Sequence, residues 1–85
     1  MPEVTRFYGI VIAMYYKEHP PAHFHAIYGE FEITVNIKTG IVKGEFPSNR
    51  LKYVAEWYEK NKDALRKNWK KLRENKPLKK IKPLE

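Results

Sequence analysis

The sequence predicts an α+β fold: a four-stranded antiparallel β-meander with one long or two shorter C-terminal helices packed on one face, and an extended tail. Three observations predict it. Residues 6–46 are rich in β-branched and aromatic residues and are punctuated by short Gly-containing turns. Residues 47–75 change to a helical spacing of apolar residues, and residues 76–85 hold two prolines that forbid a continuous helix. Eighty-five residues make a single domain, 1–85, divided into a β-sheet half (1–46), a basic helical half (47–75) and a tail (76–85).

The first strand is expected over Arg6–Tyr16. Both of its alternating sets are apolar, as in a strand covered on both faces, and Gly9 marks a bulge or a close approach of another backbone. The corner His19-Pro20-Pro21-Ala22 follows, stiffened by two fixed φ angles. His23–Tyr28 is the second strand, and Gly29-Glu30 is a two-residue turn with Gly first, the type II′ preference. Phe31–Lys38, the third strand, alternates cleanly, and Thr39-Gly40 leads to the fourth, Ile41–Phe46. If Tyr28 pairs with Phe31, the core face collects Val11, Ala13, Tyr15, Phe24, Ala26, Tyr28, Phe31, Ile33, Val35, Val42 and Phe46. Ile10, Ile12 and Met14 then share the other face with His23, His25, Glu32, Thr34 and Asn36. On this reading the histidines lie across the sheet from the helices.

Ser48 or Asn49 is placed to N-cap a helix. Leu51, Val54, Ala55, Tyr58, Leu65, Trp69 and Leu72 form one stripe at about 100° per residue, with Trp57 and Tyr53 off it. Lys62 interrupts the stripe. An unbroken helix would run for about 40 Å, long for so small a sheet, so a break near Asn61 is favoured. In the tail, Leu78, Ile81 and Leu84 recur every third residue, as one face of a polyproline-type segment would.

The net charge of +7 is unevenly placed. Residues 1–46 carry four Lys/Arg against five Asp/Glu, a balance of −1, whereas residues 47–85 carry thirteen against five, a balance of +8. The basic half favours an acidic partner, and Arg66, Lys67, Lys70, Lys71, Lys79, Lys80 and Lys82 are its candidate contacts to nucleic acid or another polyanion. The alternative is a solvated, solubilising face. No apolar run approaches membrane-spanning length and no secretory leader pattern opens the chain, so a cytoplasmic protein is expected, with no membrane partner.

His19, His23 and His25 supply three nitrogen ligands within seven residues. With Glu32 or another carboxylate across the sheet they could hold a divalent metal ion, and no other cofactor is implied. The alternative is a structural role in hydrogen bonds across strands. Tyr16, Glu32, Thr34 and Asn36 are the accompanying candidates for binding on the sheet face. With no cysteine, no Gly-x-Ser-x-Gly, no HExxH and one serine, the chain offers no standard catalytic set, which favours a non-enzymatic role.

Arg6-Phe-Tyr-Gly-Ile, Met14-Tyr, His19-Pro-Pro-Ala-His-Phe-His-Ala, Tyr28-Gly-Glu, Glu56-Trp57, Asn68-Trp69 and Pro77-Leu-x-x-Ile-x-Pro-Leu together resemble a family of short prokaryotic proteins, the four-one-six-zero domain-of-unknown-function family. The resemblance implies a small gene beside another small gene, sometimes labelled regulatory or toxin–antitoxin-like. It implies no established biochemistry. Ala22 stands where proline is also common in that motif. The leading expectation is therefore a module of a regulatory pair that binds a partner protein or forms a homodimer, with nucleic acid as a further partner. A metal-binding protein or metal-dependent enzyme built on the histidines, and a purely structural dimerisation domain, are the alternatives.

Overall fold

The computed structural model describes residues 3–85; Met1-Pro2, the start of the expected sheet half, lies outside the described residues. The architecture is α+β, with an antiparallel sheet of five strands in sequential order and two C-terminal helices. The strands are β1 (Glu3–Phe7), β2 (Ile10–Ala13), β3 (His23–Tyr28), β4 (Phe31–Asn36) and β5 (Val42–Gly44). The helices are α1 (Ser48–Lys60) and α2 (Lys62–Arg73).

The expected first strand is two strands. Tyr8 and Gly9 both take positive φ, 49° and 77°, as a type I′ hairpin turn requires, and Phe7 pairs with Ile10. A continuous apolar run hid this turn, because a Tyr-Gly pair carries none of the polarity that marks most hairpins. Gly9 is also crowded: a Cβ there would stand 3.1 Å from the Tyr28 ring, so the close neighbour is a side chain, not a backbone.

The β3–β4 hairpin has the expected register, with Tyr28 opposite Phe31, Ala26 opposite Ile33 and Phe24 opposite Val35. Gly29 alone of its turn pair has positive φ, in keeping with type II′. The face assigned to β2 is corrected. Ile12 lies opposite Ala26, and Ala13 opposite His25. Ile10, Ile12 and Met14 therefore belong to the core face, while Val11, Ala13 and Tyr15 share the face of the histidines. The cause is the nine-residue connection from Met14 to Ala22: unlike a two-residue turn, it leaves the parity of the two strands free.

The core joins Phe7, Ile10, Ile12, Met14, Phe24, Ala26, Ile33 and Val35 to Val54, Trp57, Tyr58, Leu65 and Leu72 of the helices. Each such buried aliphatic or aromatic side chain contributes roughly 1.5–3 kcal/mol of burial free energy. Two residues expected in the core lie at its margin, Phe31 at 43% and Val42 at 39% exposure, because β5 is only three residues long and has no neighbour beyond it.

The chain makes two helices, broken at Asn61, whose φ of −132° is non-helical. Pro47 occupies the N-cap of α1 and its carbonyl accepts from Arg50 and Leu51, so the expected side-chain cap by Ser48 or Asn49 is not made. Ala55 is exposed, whereas Trp57, expected off the stripe, is fully buried between Phe7 and Phe24. Its indole N–H donates to the Lys82 carbonyl at 2.8 Å. The far end of α2 closes in a Schellman motif: Lys76 N–H bonds the Lys71 carbonyl, Asn75 N–H bonds that of Leu72, and Asn75 takes φ 57°. Beyond it the tail turns Leu78, Ile81 and Leu84 inward, as their spacing predicts, and Ile81 N–H bonds the Val4 carbonyl on the edge of β1.

Candidate metal centre

β3 places His23 and His25 on one face, opposite Asn36 and Thr34. The connection before β3 contains Lys17 at φ 63° and a cis Pro20–Pro21 bond, and it is pinned by Ile37 N–H to the Ala22 carbonyl at 2.9 Å. This corner returns Glu18 to the histidines. One Glu18 oxygen, Oε1, lies 2.8 Å from His25 Nε2 and 3.6 Å from His23 Nε2.

The other nitrogen of each ring is already engaged. His23 Nδ1 lies 2.8 Å from the Pro21 carbonyl, which can only accept, so Nδ1 carries the proton. His25 Nδ1 lies 3.0 Å from Glu32 Oε2 and donates in the same way. Both Nε2 atoms of these oriented rings converge on Glu18, that of His25 within hydrogen-bond distance and that of His23 just beyond it. Ligand atoms of Glu18, His23 and His25 all lie within 4.8 Å of one another. Histidine metal ligands almost always have this arrangement, with the second nitrogen bonded to a carbonyl or carboxylate.

Aromatic rings wall the centre. Tyr15 meets His25 edge-on at 4.6 Å, and Trp69 of α2 lies 5.3 Å from His23. The expected separation of the histidines from the helices is therefore overturned at His23, because α2 reaches the end of β3. Hydrogen bonding from His25 holds the Glu18 carboxyl below its usual range, against the opposing effect of burial and with further help from the charge of His23. Burial, followed by the nearby Glu32 and Glu18 carboxylates, pushes the Tyr15 phenol up. With the centre partly open to solvent, these electrostatic effects are screened.

Of the expected ligands, His23 and His25 meet here. His19 does not: it is exposed and lines a groove with Lys17, Glu18, Pro20 and Leu72. Glu18 takes its place, and only a corner that folds the chain back makes the neighbour of His19 a partner of His25. Among the sheet-face candidates, Glu32 orients His25, and Thr34 stands opposite His25 with no side-chain hydrogen bond among the described residues. Asn36 instead accepts from the Lys38 and Thr39 amides, shaping the next turn. Tyr16 donates to the Lys76 carbonyl at 3.2 Å and serves the tail. Of the seven basic candidates, Arg66, Lys67, Lys71, Lys79, Lys80 and Lys82 line one groove between α2 and the tail; Lys70 lies outside it. Among the described residues, no helix is long and apolar enough to cross a membrane.

No curated protein and no solved structure gives a significant match. The model of a family described as a domain of unknown function, DUF4160, matches residues 9–70, which include the proline corner, both centre histidines and Trp69. That match covers well over half of the 85 residues, and the chain belongs to the DUF4160 family.

Proposed function

We propose that this domain binds a divalent transition-metal ion through Glu18 Oε1, His23 Nε2 and His25 Nε2. The observation that carries the reading is the anchoring of both Nδ1 atoms, on the Pro21 carbonyl and on Glu32, with both Nε2 atoms left facing one carboxylate oxygen. Two histidines and one glutamate form a nitrogen–oxygen set suited to zinc, and also to manganese, iron or nickel. Around a zinc-sized ion, ligand atoms stand roughly 3.3 Å apart, given bonds near 2.0–2.1 Å. The present separations from Glu18 Oε1, 2.8 and 3.6 Å, bracket that value, and the three ligand atoms lie within 4.8 Å of one another. Three protein ligands leave a coordination position for water or a further ligand.

Protein purified without a histidine tag is the material for the test. Stoichiometric metal, or a thermal shift on adding zinc, manganese or nickel that disappears in His25→Ala and Glu18→Gln, is expected. At a hundredfold excess over Kd the ion would stabilise the fold by about 2.7 kcal/mol. Sub-stoichiometric metal together with no shift for any of the three ions defeats the proposal.

A second reading, in which the domain is one member of a regulatory pair and binds a partner protein, is favoured by the exposed Phe31, Ile41 and Val42 at the β5 margin of the sheet. Co-expression with the neighbouring gene tests it: failure of the two products to co-purify removes this reading and leaves the metal proposal untouched.

A further inference from the structure

The groove between α2 and the tail encloses about 790 Å³. Three of its basic residues have acidic partners: Lys60 pairs with Glu56, Lys62 with Glu59 and Arg66 with Asp63. Lys67, Lys71, Lys79, Lys80 and Lys82 have no ion-pair partner among the described residues. Five ammonium groups thus line one depression, with the Glu3 carboxylate acting on Lys80 beyond ion-pair distance, and such a run of like charge suits a bound polyanion.

The lysines are held in place from below. Lys67 and Lys71 are one helical turn apart on α2, flanking Asn68, whose side chain is 1% exposed. The Asn68 amide bonds both backbone groups of Lys79: Nδ2 donates to its carbonyl at 2.8 Å, and Oδ1 accepts from its N–H at 2.9 Å. Ile81 is bonded to Val4 and Lys82 to Trp57. The tail backbone is thus fixed at residues 79, 81 and 82, with its apolar residues inward and its lysines along the groove. Little main-chain ordering remains to oppose binding.

We infer that this groove binds the phosphate backbone of nucleic acid. Phosphate supplies closely and regularly spaced negative charge, and ammonium groups meet it as point charges. No aromatic side chain among the described residues lines the groove, so base stacking adds nothing, and single strands gain no advantage from unstacked bases. The binding is therefore sequence-tolerant and dominated by counterion release. It is independent of the metal centre, which lies on the other flank of Asn68, where Trp69 meets His23.

The test is a fluorescence-anisotropy titration of the full chain against a 20-base-pair DNA duplex over a salt series. Five phosphate contacts give a slope of about −4.5 in log Kobs against log salt. Replacing Lys79, Lys80 and Lys82 with Gln should flatten the slope by roughly 3, and Lys67→Gln with Lys71→Gln by roughly 2. The control removes the same charge elsewhere: Lys17, Lys38 and Lys43, all exposed and outside the groove, are changed to Gln and should leave the slope in place. Thermal melts of each variant establish that it is folded. Three outcomes overturn the inference: no binding at low salt, an equal loss of slope in the control, or tighter binding of polyglutamate than of DNA, which would assign the groove to an acidic protein.

Discussion

The histidine centre and the basic groove hold their charge in opposite ways. In the centre, the polar atoms meet partners: His25 stands between Glu18 and Glu32, and His23 between Glu18 and a carbonyl. In the groove, five lysines have no ion-pair partner among the described residues, while the backbone beneath them is hydrogen-bonded. A site of paired groups selects by geometry, since a ligand must replace existing bonds. A site of unpaired groups selects by charge and tolerates many shapes. One molecule of 85 residues presents both, separated by the width of α2.

The largest expected effect that sharpens this contrast is His25→Ala. It removes one ligand and leaves Glu18 and Glu32 without the ring between them. The metal-dependent rise in Tm, roughly 10 °C or more at a hundredfold excess of ion for a domain of this size, should vanish. The salt slope for DNA should be unchanged. A lowered slope would show that the two regions are coupled.

Asn68→Ala tests the groove from beneath. It leaves the Lys79 N–H and carbonyl unpaired under a partly buried strap, at a cost of about 1–3 kcal/mol. Denaturant melts should record that loss, and the salt slope should flatten although no charge is removed. A folded variant with an unaltered slope would mean that the tail needs no anchor.

Glu32→Gln is a milder change to the centre. It keeps an acceptor near His25 Nδ1 but removes the charge, and metal affinity should fall about 10–100-fold. Isothermal titration with zinc reads this directly, and undiminished affinity would remove Glu32 from the site.

The smallest effect concerns acidity. In the folded chain Glu18 loses its proton more readily than an ordinary glutamate, because His25 hydrogen-bonds it. Its contribution to stability is therefore complete above the ordinary value of 4.5 and is lost as pH falls through the lower folded value. Metal-free wild type should lose stability over that acidic interval more steeply than Glu18→Gln. Parallel curves would show that the His25–Glu18 contact contributes nothing.

Local patterns made part of this molecule legible. The Gly29-Glu30 turn fixed the pairing of Phe24, Ala26 and Tyr28 because a two-residue loop allows one register. The third-residue spacing of Leu78, Ile81 and Leu84 and the break at Asn61 were readable for similar reasons. What was not legible depended on long connections. The parity of β2 and the return of Glu18 both pass through the Met14–Ala22 corner, whose path no periodicity describes. A helical wheel puts Trp57 off the stripe because it has one inner face, while this helix is covered by the sheet and by the tail. The basic groove is legible in the sequence as charge but not as a groove, because the Asn68 amide bonds to the Lys79 backbone join two segments whose meeting no local pattern describes.

The placement of the two tryptophans has an optical consequence. Trp57 lies under the tail, hydrogen-bonded to Lys82, and Trp69 stands against His23. In a Trp57→Phe variant the remaining indole reports ion capture at the histidines, through its emission beside the imidazole. In a Trp69→Phe variant the remaining indole reports detachment of the tail. Ion capture at the histidines and the seating of the tail can thus each be followed without a label.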